Sequence, residues 1–116
     1  MSADREAPVA IVSGPDEDDI ATALEAEGQS VRRISDVATR PALESAGVHE
    51  ASLFVLTDAA DATAVPIVRD LTDEIRIVSY TRDSLPEFVS GQLDLAVDPQ
   101  LLDAAIVADE LTTTDD

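Results

Sequence analysis

Short apolar runs alternate along the chain with segments of helical period, the pattern of βαβ units around a parallel sheet. Val9–Val12 is a continuous apolar run and predicts a first, fully buried strand. Over residues 16–27 the apolar positions Ile20, Ala21, Ala23 and Leu24 fall on one helical face, acids crowd the start, and Gly28 stands at the stop. Val31–Ile34 predicts a second strand, and its Arg32 and Arg33 place it near a sheet edge. A short helix over 41–46 follows, with Pro41 at its start and Gly47 at its end. The most apolar strand is Leu53–Thr57. The helix after it contains Pro66, so it either begins near Val65 or has a distorted first turn. Ile75–Tyr80 is the fourth strand, 85–90 a short helix, Leu95–Val97 a short fifth strand, and 99–111 a last helix with Leu102, Ala105, Ile106 and Leu111 on one face. Residues 1–7 and 112–116 read as disordered tails, and nothing marks an internal domain boundary, so residues 1–116 form one domain.

Composition sharpens this. The 116 residues are 45% hydrophobic but only 3% aromatic, so the core is built from small aliphatics. The formal net charge is −18, and all seven basic residues are arginines. Such self-repulsion opposes compaction in dilute buffer. At molar salt the Debye length falls to about 3 Å, and an acidic surface then favours solubility. This composition is that of a halophilic protein, and most carboxylates are accounted for by that adaptation. Zero cysteines exclude disulfides and thiolate chemistry. The charged Met1–Ala7 start has no apolar signal core, and no apolar run is long enough for a membrane span, which implies a soluble, cytoplasmic protein without membrane insertion. Nothing in so acidic a chain suits it to a row of phosphates, so nucleic acid is excluded as a partner.

Three stretches resemble the N-terminal domain of the TrkA/RCK family, the Rossmann-type regulators of potassium transport. "DVATRPALESAGVHEASLFVLTD", Asp36 to Asp58, is similar to the family's Gly-Asp-Ala-Thr element, its Ala-Gly-Val helix and its strand closing on Thr-Asp. "IRIVSYTRDS" and "GQLDLAVDPQLLDAAIVADEL" look like the next strand and the final strand with its helix. The resemblance implies a three-layer α/β fold with a nucleotide at the carboxyl ends of the strands. It also implies a homodimer paired through helices flanking the sheet, and a link to potassium-transport control.

The first half departs from that family. Where a G-x-G-x-x-G loop would cradle a pyrophosphate, the chain reads "SGPDEDD", Ser13 to Asp19. Only Gly14 survives, Pro15 lacks a backbone donor, and four acids follow. Between the first helix and Asp36 there is room for one strand rather than two. Five mostly parallel strands in the flavodoxin-like order 2-1-3-4-5 are therefore expected, with helices on both faces and a switch point between the first and third strands. Ser13, Gly14, Thr57 and Asp58 are then vestigial cofactor-binding positions, and NAD or ATP binding is expected to be lost.

Other chemistry is thin. The acids at 16–19 beside Asp58 are candidates for a cation site, but acids at a helix start also complement its dipole. The same topology suggests a receiver domain of two-component signalling. Asp58 would be its phospho-acceptor, Ser79 or Thr81 its switch hydroxyl, and Asp16 and Glu17 its metal acids. Receivers, however, place a Lys at the end of the fifth strand, where this chain has Asp98-Pro99. His49 stands alone in a loop, and Arg32, Arg33 and Arg40 are expected to pair with surrounding acids rather than to line an anion site. The residues contain no catalytic constellation. The sequence thus predicts a non-catalytic regulatory or protein-interaction module, a degenerate free-standing TrkA/RCK N-domain with an unidentified protein partner. The alternative is a small-molecule or nucleotide sensor at the switch point.

Overall fold

The computed structural model describes residues 8–112. The elements are β1 (Val9–Ser13), α1 (Ile20–Ala26), β2 (Ser30–Ile34), α2 (Arg40–Ser45), β3 (Ala51–Leu56), α3 (Ala64–Leu71), β4 (Arg76–Tyr80), α4 (Glu87–Ser90), β5 (Leu95–Val97) and α5 (Ala104–Thr112), with a 3-10 turn at Ala59–Asp61 before α3. The tails expected at 1–7 and 112–116 lie outside the described residues except for Thr112, which ends α5 with its hydroxyl donating to the Ala108 carbonyl at 2.7 Å.

All five strands pair in parallel, in the order β2-β1-β3-β4-β5. This is the flavodoxin-like arrangement anticipated from the chain's missing strand. β2 is indeed an edge, with Arg32 and Arg33 exposed. The two-residue alternation of a strand divides the core into two layers. Val9, Ile11, Phe54, Leu56 and Ile77 face α2, α3 and α4, and meet Leu43, Val65, Val68 and Val89. Ala10, Val12, Leu53, Val55, Val78 and Tyr80 face α1 and α5, and meet Ile20, Leu24, Val107, Ala108 and Leu111. The register of β3 against β1 shifts once: β3 accommodates the extra residue Ser52 between the partners of Val9 and Ala10, and its hydroxyl donates to the Val9 carbonyl at 3.4 Å.

Helix starts differ from expectation for local reasons. α1 begins at Ile20, not Asp16, because Asp19 is left-handed (φ 62°) and breaks the turn. The acids therefore precede the helix instead of filling its first turn. Pro66 falls in the first turn of α3, where no amide needs an intrahelical partner, and costs that helix nothing. α2 is capped by Thr39, whose Oγ1 accepts from Ala42 N at 3.2 Å. The expected last helix is split. Residues 98–102 form a turn, Asp103 Oδ1 accepts from Ile106 N at 3.0 Å, and α5 starts at Ala104. Its buried face is Ala104, Val107, Ala108 and Leu111, so Leu102, Ala105 and Ile106 of the expected inner face are exposed.

Candidate functional site

The carboxyl ends of β1, β3 and β4 surround a cleft of about 270 Å³, walled by Asp16, Asp18, Asp58, Thr81, Arg82 and the ring of Tyr80, among others. β1 and β3 carry the switch point into this cleft. The Ser13 carbonyl accepts from both Thr57 N (2.9 Å) and Thr57 Oγ1 (3.0 Å), stitching the two strand ends together. Gly14 follows with φ 108° and lies so close to the β3 exit that a Cβ there would stand 2.5 Å from Thr57 Oγ1 and 3.1 Å from Asp58 Cβ. The structure thus brings Ser13, Gly14, Thr57 and Asp58 together, as the sequence suggested. What requires a glycine at 14 is the β3 exit and the backbone angle. The Ser13 side chain, fully buried with Val9 and Ile11 on the α2/α3 side of the sheet, has no hydrogen-bond partner for its Oγ.

The acids of the β1–α1 loop have structural duties. Asp16 Oδ1 accepts from Ile20 N at 2.7 Å and Oδ2 from Ala21 N at 3.2 Å, while Arg33 stands 3.9 Å from Oδ2 and donates to the Gly14 carbonyl at 2.9 Å. Asp16 caps α1 from four residues before it, with its side chain 10% exposed. Asp18 pairs with Arg82 of the β4–α4 loop at 3.6 Å, a bridge across the cleft. Asp58 Oδ1 accepts from Ala60 N at 2.9 Å and opens the 3-10 turn. Asp61, closing that turn, has its carboxyl pushed above the ordinary range by burial and then by the negative charge of Asp58. Among the described residues no three acids or histidines are placed to hold a metal ion. Asp16, Glu17, Asp18 and Asp58 are neighbours in the cleft rather than a convergent set, and Asp19 does not line it.

The remaining sequence candidates are dispersed. Ser79 is 3% exposed on the α3/α4 side of β4, and Thr81 Oγ1 accepts from Asp83 N at 3.2 Å. Asp98 follows β5 and accepts from Gln100 N at 2.8 Å. His49 is exposed in the turn after α2. Arg33 and Arg40 do pair with acids (Asp16, and Asp70 at 2.7 Å), whereas Arg32 donates to the Ala46 carbonyl at 3.0 Å. Sequence reasoning missed the network around Arg69, which donates to the Ile75 and Gln92 carbonyls at 3.0 Å and to Asp94 at 2.7 Å. Asp94 accepts in turn from Ile77 N at 2.8 Å. Burial alone would raise the Asp94 carboxyl, but the Ile77 amide and the Arg69 guanidinium hold it below the ordinary range. Partners this distant in the chain leave no local signal.

Solved structures that superpose on nearly the whole chain include bacterial response-regulator domains and pilus-assembly proteins. HP1043, an orphan response regulator of Helicobacter pylori, matches with a TM-score of 0.69 at 10% identity, covering 92% of this chain and 96% of its own. A CheY-like receiver domain from Methylobacillus flagellatus gives 0.63 at 17% identity, covering 91% and 97%. A Burkholderia pseudomallei response regulator solved with a phosphorylated aspartic acid gives 0.65 at 18% identity, covering 91% of this chain and 67% of its own. The architecture is therefore receiver-like. By sequence, the chain belongs to DUF7126, a family of unknown function, matched over residues 10–111. No curated protein matches the sequence.

These findings correct the TrkA/RCK resemblance and, with it, the link to potassium transport. The stretch from Asp36 to Asp58 that carried it has local explanations: Thr39 caps α2, Gly47 ends it at φ 86°, and apolar β3 follows. Asp36 is exposed and makes no hydrogen bond. Any flavodoxin-like αβ connection has the same needs. As for membranes, no helix among the described residues is long and apolar enough to cross one.

Proposed function

We propose that the chain is a non-catalytic regulatory module on a receiver-like scaffold, acting through protein contacts and taking neither a phosphoryl group at Asp58 nor a nucleotide in the cleft. The observation that carries this reading is the engagement of Asp16. Phosphoryl uptake by an aspartate needs a divalent cation held by acids at the end of the first strand and a cationic side chain for the phosphoryl oxygens. Here both Asp16 oxygens accept amides of α1, and releasing such a cap costs about 0.5–2 kcal/mol. Asp98 supports the same reading, because a carboxylate stands where receivers have a Lys and the chain contains no lysine to replace it. A nucleotide phosphate meets the same obstacle: Asp16 already occupies the amides of Ile20 and Ala21. Each further carboxylate about 4 Å from a phosphate charge adds roughly 1 kcal/mol of repulsion even at water's dielectric constant.

The test is an amide-resolved titration at molar salt with magnesium and beryllofluoride, then with NAD and ATP. The expected result is no saturable shift at Ser13–Glu17, Asp58 or Thr81. Saturable beryllofluoride shifts that vanish in Asp58→Asn would make the chain a working receiver. Nucleotide shifts confined to Thr57–Asp61 would make it a sensor at the switch point.

A further inference from the structure

The split before α5 leaves a patch uncovered. Leu101 and Leu102 in the turn, and Ile106 on α5, are 79%, 41% and 49% exposed, and Leu95 on the edge strand β5 is 37% exposed. These four line a single groove, on which Arg76 and Glu110 also stand. Apolar side chains exposed singly are ordinary, but a contiguous group beside a sheet edge marks a contact surface.

Charge indicates what covers it. Of the arginines among the described residues, Arg33, Arg40, Arg69 and Arg82 pair with acids, and Arg32 donates to a carbonyl. The Arg76 side chain makes no hydrogen bond or ion pair with a described residue, although its charge reaches Asp94, in a chain with 25 acidic residues. The Glu110 side chain, on the same groove, likewise makes no hydrogen bond or ion pair with a described residue. Asp98 also touches the groove, but its carboxylate is occupied by Gln100 N. A surface holding a cation and an anion without ion-pair partners, together with apolar side chains, is complementary to itself across a twofold axis, where each contact occurs twice.

We propose that a second copy of the chain covers this groove. The two grooves pack face to face in a homodimer, and Arg76 of each copy pairs with Glu110 of the other. Of the apolar helix face expected from the sequence, Leu102 and Ile106 stand on this groove, whereas Leu111 is in the core at 8% exposure, and Leu95 and Leu101 complete the patch. A charge of −18 on each copy opposes association in dilute buffer. At molar salt, where screening acts within about 3 Å, only the groups in direct contact still matter. The groove shares no residue with the cleft, so this inference stands or falls separately from the reading of Asp58.

Sedimentation equilibrium of the full chain at molar salt tests it, with far-UV circular dichroism to verify folding. The wild type is expected to be a monomer–dimer system, and Ile106→Asp and Arg76→Glu should each weaken the dimer at least roughly tenfold, a loss of about 1.4 kcal/mol. Both substitutions lie on exposed side chains, so the fold should persist. Arg76→Glu combined with Glu110→Arg should restore association to near the wild-type level. A wild type that remains monomeric to about 1 mM overturns the proposal. So does a dimer indifferent to Ile106→Asp, which would use another face, or a charge-exchanged variant that stays as weak as Arg76→Glu alone.

Discussion

Replacing Gly14 with alanine separates a folding role for this glycine from a ligand-binding one. The substitution forces a side chain onto a backbone at φ 108° and places its Cβ 2.5 Å from Thr57 Oγ1 and 3.2 Å from Asp58 N. Holding a non-glycine residue at such an angle costs on the order of 1–3 kcal/mol. Displacing the Thr57 hydroxyl from the Ser13 carbonyl adds about 0.5–1.5 kcal/mol. A total near 2–4 kcal/mol lowers Tm by roughly 8–16 °C in a domain of this size. Gly28 provides the control. It has a similar angle, φ 93°, but a Cβ there would meet nothing within 4 Å, so Gly28→Ala should lose only the backbone part, about 1–2 kcal/mol. Adding Thr57→Ala to Gly14→Ala removes the closest clash and should recover about 1 kcal/mol in a double-mutant cycle. Urea and thermal unfolding at molar salt measure the wild type, Gly14→Ala, Thr57→Ala, the double variant and Gly28→Ala. Equal losses for Gly14→Ala and Gly28→Ala, or no coupling between positions 14 and 57, would refute the packing argument.

Three other outcomes are expected. Ser13→Ala should raise stability by about 1 kcal/mol, because it removes a buried hydroxyl with no partner; chemical denaturation at molar salt reads the change. Asp94 has a folded carboxyl held below its ordinary value, so its stabilising contribution is complete above the unfolded pKa near 3.9 and is lost as pH falls through the lower folded value. Asp94→Asn should therefore be less stable at neutral pH and show a flatter acid limb below about pH 4 in a pH series of melts. The −18 charge should make folding salt-dependent, and far-UV circular dichroism should lose its native signal as salt is diluted to the low millimolar range.

The fold was largely legible because its elements are short and locally determined. The apolar runs of β1 and β3 are too short for a buried helix and are bounded by polar turn residues, Gly28 and Gly47 sit at left-handed helix stops, and the two adjacent arginines of β2 suit an edge. The strand order followed from the space between α1 and Asp36. The start of α5 was hidden because Leu102, Ala105 and Ile106 are spaced as an inner face, while the decisive interaction is the Asp103 cap on Ile106 N. Periodicity cannot show where a helix is interrupted by one side-chain hydrogen bond. The positions of the cleft were legible as strand ends, but their duties were not. That Asp16 caps α1 from outside the helix depends on the left-handed turn at Asp19, an uncommon conformation for a residue other than glycine. The family resemblance misled because turn-and-cap chemistry around α2 and β3 recurs wherever a short helix feeds a parallel strand.

Tyr80 gives the molecule an optical label of its own. It is the sole tyrosine of a chain without tryptophan, 2% exposed between the sheet and α5, and its hydroxyl donates to the Leu102 carbonyl at 2.9 Å. Near-UV dichroism, which registers aromatic rings held in fixed packing, therefore samples mainly one location: the seat of the turn leading into α5. Far-UV dichroism samples the helices together. Where the two transitions coincide, α5 leaves the sheet with the rest of the fold; where the near-UV signal fades first, α5 is a separately detachable element. A single phenol thus converts the docking of the last helix into a spectroscopic quantity, with no dye or tag added.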